Sequence, residues 1–287
     1  MAPEFSCLQR GCPRWPAELD EVDEPPSELW IAGRAEILDV RPRAAVVGTR
    51  SPTPYGELQA ARIATFLARN GVVVVSGLAR GIDEVAHRAA LDAGGPTLAV
   101  LGSGVDRPWP DGELARRMRS EGCLLSEFPP GQGPRRHHFP WRNRLIAGLS
   151  TLVVVVEAAH ASGSLITARW AADQGREVFA VPGRVDHPMA RGCHRLLREG
   201  ALLLESPSEL LGPLGLASSS GEAAGTGLAV RRHPVLDALR GETLTGDEIA
   251  RRMELPLSEV LVALVELQLE GSIVRAPGGL YRLTSGS

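Results

Sequence analysis

No lysine occurs anywhere in the 287 residues; all 31 basic side chains are arginine. A GC-rich genome accounts for such a bias, and it leaves every cationic contact as a planar, permanently charged fork suited to phosphate and to stacking. Aromatic residues make up only 4% of the chain, so any that sit among charges stand out. Cysteine is also scarce. Cys7, Cys12, Cys123 and Cys193 do not build a disulfide scaffold in a chain of this length, and Cys7 and Cys12 have no companion pair for zinc. No apolar run approaches the roughly 18–20 residues needed to span a bilayer. The N-terminal MAPEFSCLQR lacks a basic start followed by an apolar core, so it does not read as a secretory signal. The expected location is the cytoplasm. The 32 glycines and 22 prolines fall at turn positions and form no repeat, which excludes collagen-like and low-complexity chains.

What is present is unevenly distributed. Residues 1–40 carry 3 arginines and 9 acids, net −6; residues 41–211 carry 21 arginines and 16 acids, net +5; residues 212–287 carry 7 arginines and 9 acids, net −2. A basic middle between acidic ends is compatible with an anionic partner that the overall charge of −3 conceals.

The length allows one large domain and a small one. Runs that are apolar throughout (44–48, 72–77, 97–102, 124–128, 152–158, 178–183, 201–205) alternate with helix-length stretches (57–70, 82–93, 112–121, 165–174). Strands without a polar face, separated by helices, predict an α/β fold: an extended Rossmann-like parallel sheet with helices on both faces, over 42–211. Residues 1–41 read as an acidic, Pro-rich strap lying on that domain, with Trp15 and Trp30 as anchors. Residues 212–229 are Gly, Ala and Ser with almost no charge, a flexible linker. Residues 230–287 predict a small winged helix. Its helices are expected at 234–240, 245–253 and 256–270, the second opened by a Thr245/Glu248 capping box, before a hairpin around Pro277-Gly278-Gly279.

Most core runs end in Gly or Ser just before a helix, where doubly wound folds hold anions. Gly48, Thr49, Arg50 and Ser51 form the first such turn, Ser76, Gly77 and Arg80 the second, and Ser162, Gly163 and Ser164 a third. Neither GxxxxGK[ST] nor GxGxxG is present, so no nucleotide or dinucleotide cofactor is expected. Asp83 and His87 stand four apart on one helix; an Asp–His hydrogen bond is the expected outcome and a metal pair the alternative. The most informative segment is 135–144, RRHHFPWRNR: four arginines, two histidines, two aromatics and one asparagine without an acid. Arginine interleaved with flat rings suits single-stranded nucleic acid, the guanidinium taking phosphate and the ring stacking on a base. Arg135, Arg136, His138, Phe139, Arg142, Asn143 and Arg144 are therefore candidate contacts. Catalytic pairs are sparse: Glu127 and Glu157 lie near strand ends, and Ser162 is not in a GxSxG elbow, so no reaction is predicted.

The blocks VVGTRSPTPYG, SGLARGIDEVAHRAAL, FPWRNRLIAGLS, VVVVEAAHASGSLITARWAADQGREVFAVPG and RGCHRLLREGA, in order across about 13–211, resemble the DNA-processing protein A (DprA/Smf) family. The lead-in and the winged helix resemble family features as well. The resemblance implies an extended Rossmann fold without enzymatic activity that binds single-stranded DNA, loads the RecA recombinase onto it and protects incoming strands during natural transformation. It also implies a dimer formed through the Rossmann domain. By matching motif it assigns Arg50 to backbone phosphate, Arg136 to the basic position before FPxRNR, Phe139 to base stacking, Arg142, Asn143 and Arg144 to the basic block, and Ser162, Gly163 and Ser164 to the matching loop. There are departures. Gly192-Cys193-His194 stands where G-[ST]-N is usual, Trp109 where Tyr is usual, and Arg136 replaces a Lys; a helical domain that many members carry ahead of the lead-in has no counterpart in this sequence.

Two other readings use the same residues. A nucleotide-processing hydrolase such as a phosphoribohydrolase needs a PGGxGTxxE block, whereas this chain has Pro182-Gly183-Arg184. An anion-responsive regulator working through the winged helix conflicts with its third helix, 256–270, which has no basic residue and carries Glu259, Glu266 and Glu270. That helix is expected to repel phosphate, to use its Leu and Val positions as core, and to leave the module binding protein. Binding of segment 228–287 to duplex DNA at physiological salt would contradict this.

Overall fold

The computed structural model describes residues 5–216, 234–239, 242–253, 255–269, 273–276 and 279–283. The chain divides into two units at about residue 218, each described here by itself.

The first unit is built on one nine-stranded sheet. Its strands are β1 (Phe5–Gln9), β2 (Glu28–Gly33), β3 (Arg43–Val47), β4 (Val73–Ser76), β5 (Thr97–Val100), β6 (Cys123–Ser126), β7 (Leu152–Val155), β8 (Glu177–Ala180) and β9 (Leu202–Leu203). Their order across the sheet is β1-β2-β6-β5-β4-β3-β7-β8-β9, and the strands from β6 to β9 all pair in parallel. Alternation along each strand supplies both faces. Ala45, Val47, Val73, Val75, Val153 and Val155 point to one side. Ala44, Val46, Val74, Leu152 and Val154 point to the other. The second side is covered by α1 (Pro54–Arg69), through Ala60, Ile63, Ala64 and Leu67, and by α2 (Ile82–Asp92), through Ile82, Ala86 and Ala90. α3 (Glu113–Ser120) closes the sheet over Ala99 and Leu124 with Leu114, Ala115 and Met118. The first side is covered by α4 (His138–Gly148) and α5 (Ser164–Asp173).

Three features differ from the sequence reading. The acidic lead-in is not laid over the domain but woven into its sheet: β1 pairs antiparallel with β2, and β2 antiparallel with β6, Ile31 opposite Leu125. Trp15 is buried, and Trp30 packs edge-on to Phe5, ring centroids 6.0 Å apart. Two stretches with no predicted element are helical, one holding α4 and the other α6 (Arg191–Arg198). The second needs Gly192, since a Cβ there would meet the Ala158 carbonyl oxygen at 2.6 Å. The chain past 211 also still packs on the domain, with Leu214 buried in the core; the expected linker from 217 onward lies outside the described residues.

The second unit has α7 (Pro234–Ala238), β10 (Leu244–Thr245), α8 (Gly246–Met253), α9 (Leu257–Leu269), β11 (Ile273–Ala276) and β12 (Leu280–Leu283), the last two antiparallel with β12 central. The capping box forms: the Glu248 carboxylate accepts from the Thr245 amide at 2.7 Å, and the Glu248 amide donates to the Thr245 hydroxyl at 3.3 Å. The expectation that the Leu and Val positions of α9 are core is half right. Val260, Leu264 and Leu267 are buried, whereas Leu257, Leu261, Val262 and Val265 are exposed, because a helix on a small domain buries only one stripe. Glu270, Pro277, Gly278 and the side chain of Glu266 lie outside the described residues.

Candidate nucleic-acid interface

The strand order reverses direction between β3 and β7: β4, β5 and β6 follow on one side, β8 and β9 on the other. At such a switch point the loops leaving the two strands diverge and open a crevice at their carboxyl ends. Here the diverging loops are 48–53 and 156–163. They enclose a cavity of about 600 Å³ lined by Gly48, Thr49, Arg50, Arg136, Phe139, Asn143 and the Ser162-Gly163-Ser164 turn. Sequence blocks nearly a hundred residues apart therefore meet in one recess.

The floor is rigid for identifiable reasons. The Thr49 amide donates to the Glu157 carbonyl at 2.7 Å, and the Ile82 amide donates to the Thr49 carbonyl at 3.1 Å. Gly81 has φ +85°, and a Cβ there would strike the Thr49 carbonyl oxygen. With the backbone pinned, only the side chain of Arg50 is free to move. It is exposed, its guanidinium carbon 5.5 Å from the centre of the half-buried Phe139 ring.

Two of the three expected anion cradles are already filled by the chain's own carboxylates. At the N-terminus of α1 the Glu157 carboxylate accepts from the Thr53 amide at 2.9 Å and from the Thr53 hydroxyl at 2.6 Å. At the N-terminus of α2 the Asp83 carboxylate accepts from the Gly77 amide at 3.1 Å. A buried carboxylate at a helix N-terminus answers the partial positive charge there, leaving nothing for an external phosphate to gain. The N-terminus of α5 is different: no carboxylate among the described residues fills it, the Ser162 hydroxyl accepts from the Ser164 amide at 3.4 Å and bonds the Ser164 hydroxyl at 2.8 Å, and Gly163 is exposed at the mouth, its carbonyl accepting from Asn143 Nδ2 at 3.2 Å.

The segment 135–144 is divided by its helix. Arg135 and Arg136 precede α4 and are exposed; Phe139 stands at its start. The next turns are interior, because α4 lies against the sheet. Arg142 is buried and donates through Nη1 to the Gly77 carbonyl at 2.9 Å and to the Val100 carbonyl, tying β4 to β5. Arg144 makes two bonds to Glu127, at 2.7 and 2.6 Å, and reaches the carbonyls of Asp23 and Glu24, fastening the N-terminal segment to α4. Its guanidinium also covers one face of Trp141 at 4.2 Å. His138 is buried, stacked on Phe128 and bonded to the Gly102 carbonyl. Ser76 is buried and donates to the Val46 carbonyl at 2.7 Å. Ser76, His138, Arg142 and Arg144 are expected contacts that this fold makes supports, since each is buried and bonded to groups of the interior.

The remaining expected features separate in the same way. Asp83 and His87 do not bond each other or form a metal pair: Asp83 turns to Gly77, and His87 Nδ1 lies 2.7 Å from the Thr97 hydroxyl. Glu127 and Glu157 are not paired acids, one answering Arg144 and the other Thr53. Cys193 is buried behind β7, and burial pushes its thiol up to about 12, so the departure at 192–194 sits in the scaffold and not in the recess. Thr167 and Ala79 also line the recess; they lie within the motif blocks but carry no charge and are not among the expected contacts. Leu78 beside Ala79 is held at φ +57°, a conformation that L side chains other than Asn and Asp seldom take.

The recess tolerates little at its back. A Cβ on Gly56 would fall on the Glu157 carboxylate. Gly56→Ala is therefore expected to lower stability by about 1–3 kcal/mol, as overpacking does, and to displace loop 48–53; the unfolding midpoint in urea measures the first effect.

Comparison with known proteins identifies relatives for both units. Residues 6–215 match the family model described as DNA recombination-mediator protein A, and residues 221–279 match the DprA winged helix domain. The chain is 41% identical over 281 residues to Protein Smf of Escherichia coli K12, covering 94% of this chain and 75% of that protein. It is 45% identical over 268 residues to a putative DNA processing protein DprA of Mycobacterium tuberculosis, covering 90% of this chain and 69% of that protein. Among solved structures it is similar to DNA processing protein A of Streptococcus pneumoniae, with a TM-score of 0.70, 40% identity and coverage of 73% and 74% of the two chains. It is also similar to DNA processing protein A of Helicobacter pylori, whose structure addresses a single-stranded DNA binding mode, with a TM-score of 0.67, 30% identity and coverage of 74% and 95%. No helix among the described residues is long and apolar enough to cross a membrane.

Proposed function

The chain belongs to the DNA recombination-mediator protein A (DprA/Smf) family, and on that premise we propose that it binds single-stranded DNA in the recess between β3 and β7. One observation carries the reading. Arg50, Arg80, Arg135 and Arg136 are exposed around the recess, and none has a carboxylate partner among the described residues. Other arginines of the unit are paired, as Arg117 is with Asp92 at 2.8 Å and Arg195 with Glu199 at 2.7 Å, or stand without a carboxylate among the described residues, as Arg69, Arg116, Arg191 and Arg198 do; what sets Arg50 and Arg136 apart is that they line one recess together with Phe139. Unpaired guanidinium groups beside a half-buried phenyl ring and a helix N-terminus that no carboxylate fills suit a phosphate chain whose bases are free to stack. A duplex keeps its base faces covered and gains nothing from Phe139. That the H. pylori relative is a single-stranded DNA binder supports the choice of ligand.

Arg50, Arg136, Gly163 and Ser164 would take backbone phosphate, and Phe139 a base. Arg142, Arg144, His138 and Ser76 would position them. No reaction is proposed. By its family the protein would protect the strand and pass it to the RecA recombinase, acting as a dimer through the Rossmann domain in the cytoplasm. The exposed apolar side of α9, with Leu261, Val262 and Val265 and no basic residue, favours a protein partner for the winged helix.

Fluorescence anisotropy of a labelled oligo(dT) and a matched duplex at two salt concentrations tests the site. Wild type is expected to prefer the single strand, to lose affinity steeply as salt rises, and to show little sequence preference. Arg50→Ala is expected to weaken binding to any sequence and to flatten the salt slope by about one phosphate contact. Equal affinity for duplex, or full affinity in Arg50→Ala, would remove this function from the recess.

A further inference from the structure

We propose that the bound strand continues beyond the recess onto the loop between β5 and α3, where Trp109 is a second base-stacking surface and Arg107 a phosphate contact. The inference rests on the single-strand reading above and extends it to a subsite that the recess does not include.

Trp109 is the one exposed tryptophan of the five, at 56%. An exposed indole in a chain with so few aromatics calls for a partner that covers it. Its loop is not a loose excursion. The Ser103 hydroxyl donates to the Arg107 carbonyl at 2.7 Å, the Arg107 amide to the Gly104 carbonyl at 2.9 Å, and Arg119 to the Val105 carbonyl at 3.0 Å. Val105 beneath it is fully buried. The ring is thus presented on a fixed backbone, which lowers the ordering cost of stacking.

The loop is also joined to the basic segment. The Gly104 amide donates to the Gln132 carbonyl at 2.8 Å, and the Asp106 carboxylate accepts from the Gly131 amide at 2.9 Å. Gln132 meets His138 at 3.3 Å, next to Phe139. Where the loop leaves β5, Gly102 lies against the Phe139 ring: a Cβ there would stand 3.0 Å from its Cδ1. The loop that carries Trp109 is therefore fastened at the carboxyl ends of β5 and β6 to the segment that leads into α4, so that Phe139, Arg135 and Arg136 and the exposed Trp109 are borne by two loops bonded to each other. Arg107 is exposed, its side chain 64% accessible and its Nε 3.9 Å from Asp106, whose carboxylate is already held by Gly131. Asp111 is exposed nearby and marks the outer limit of the path. Two aromatic rings and the exposed guanidinium groups of Arg107, Arg135 and Arg136 on these joined loops supply the ring and phosphate contacts that a single strand uses.

Oligonucleotide length separates this subsite from the recess. Anisotropy is measured with oligo(dT) of about four and about sixteen nucleotides, the span of small single-strand sites, using full-length wild type, Trp109→Ala, Trp109→Phe and Phe139→Ala. Trp109→Ala is expected to lose about tenfold in affinity for the long oligonucleotide, to bind the short one like wild type, and to keep its melting temperature. Trp109→Phe restores most of the loss. Phe139→Ala weakens both. If Trp109→Ala binds the long strand like wild type while Phe139→Ala does not, the subsite is refuted and the recess stands, leaving the indole for a protein partner. If Trp109→Ala weakens both lengths equally, the continuation of the path is refuted. If wild type binds neither length, the single-strand reading falls and this inference with it.

Discussion

Between neutral pH and about pH 5 the first unit is expected to lose about 2 kcal/mol of stability through His87 alone, at about 1.4 kcal/mol per pH unit below the ordinary histidine value. The Thr97 hydroxyl has one proton, and it goes to the Val74 carbonyl at 2.8 Å. The 2.7 Å contact with His87 must therefore be donated by His87 Nδ1, leaving Nε2 bare. That nitrogen is buried without a partner. Protonating it would place a charge in the core beside the Arg142 guanidinium with no acceptor; burial first, and Arg142 second, push His87 down to about 3. The unfolded chain takes up the proton near 6.5 and the folded chain does not. The contribution is thus intact above about 6.5 and drains away as pH falls toward 3. Burial pulls His138 down as well, so it adds in the same direction. Urea titrations at several pH values measure the slope. His87→Asn, whose amide can replace the Nδ1 donor, is expected to reduce the slope between pH 6.5 and 5, where few carboxylates titrate. An unchanged slope would mean that His87 is protonated in the folded state.

The second large effect is at Arg142. Removing its guanidinium strips the Gly77 and Val100 carbonyls of a donor and leaves the buried Asp83 without its counter-charge. A buried carbonyl left without its donor costs about 1–3 kcal/mol, and two are lost together with a neighbouring opposite charge, so Arg142→Ala is expected to approach the stability limit of a small domain. Burial raises Asp83 and lowers Arg142 to about 10, and the opposite charge of each offsets part of the other's shift. Adding Asp83→Asn to Arg142→Ala removes the orphaned carboxylate, and recovery of part of the lost midpoint is the expected result. A double variant no better than the single would show that the cost comes from the carbonyls. DNA affinity should fall in both, because Arg142 holds the strand ends under α4, which carries Phe139.

These two groups show where sequence reading stops. Arg142 belongs to the RRHHFPWRNR block and looks as available to phosphate as Arg136, since both are cationic and neither has a nearby acid in sequence. What separates them is that α4 lies on the sheet, so its later turns are interior while the residues before it are not. Asp83 and His87 have the spacing of a pair on one helix face, yet partners from β4 and β5 take each first. The lead-in is a third case: its strands are an edge addition with mixed polarity and little period, and only the antiparallel pairing of β2 with β6 identifies them as sheet.

What the sequence alone determined is the strands of the parallel core with the helices α1, α2, α3 and α5, the winged-helix outline with its capping box, and the blocks that carry the chemistry. Uninterrupted apolar runs and turn residues are local signals, readable without knowing their neighbours. Only the tertiary structure decided which groups face the strand. The reversal of strand order between β3 and β7 brings Arg50, Phe139 and Ser162–Ser164 into one recess, while burial turns Glu157 and Asp83 into caps and Arg142 and Arg144 into supports. Exposure and partnership are properties of distant contacts, and arginine has the same chemistry on either side of a surface until packing says which side it is on.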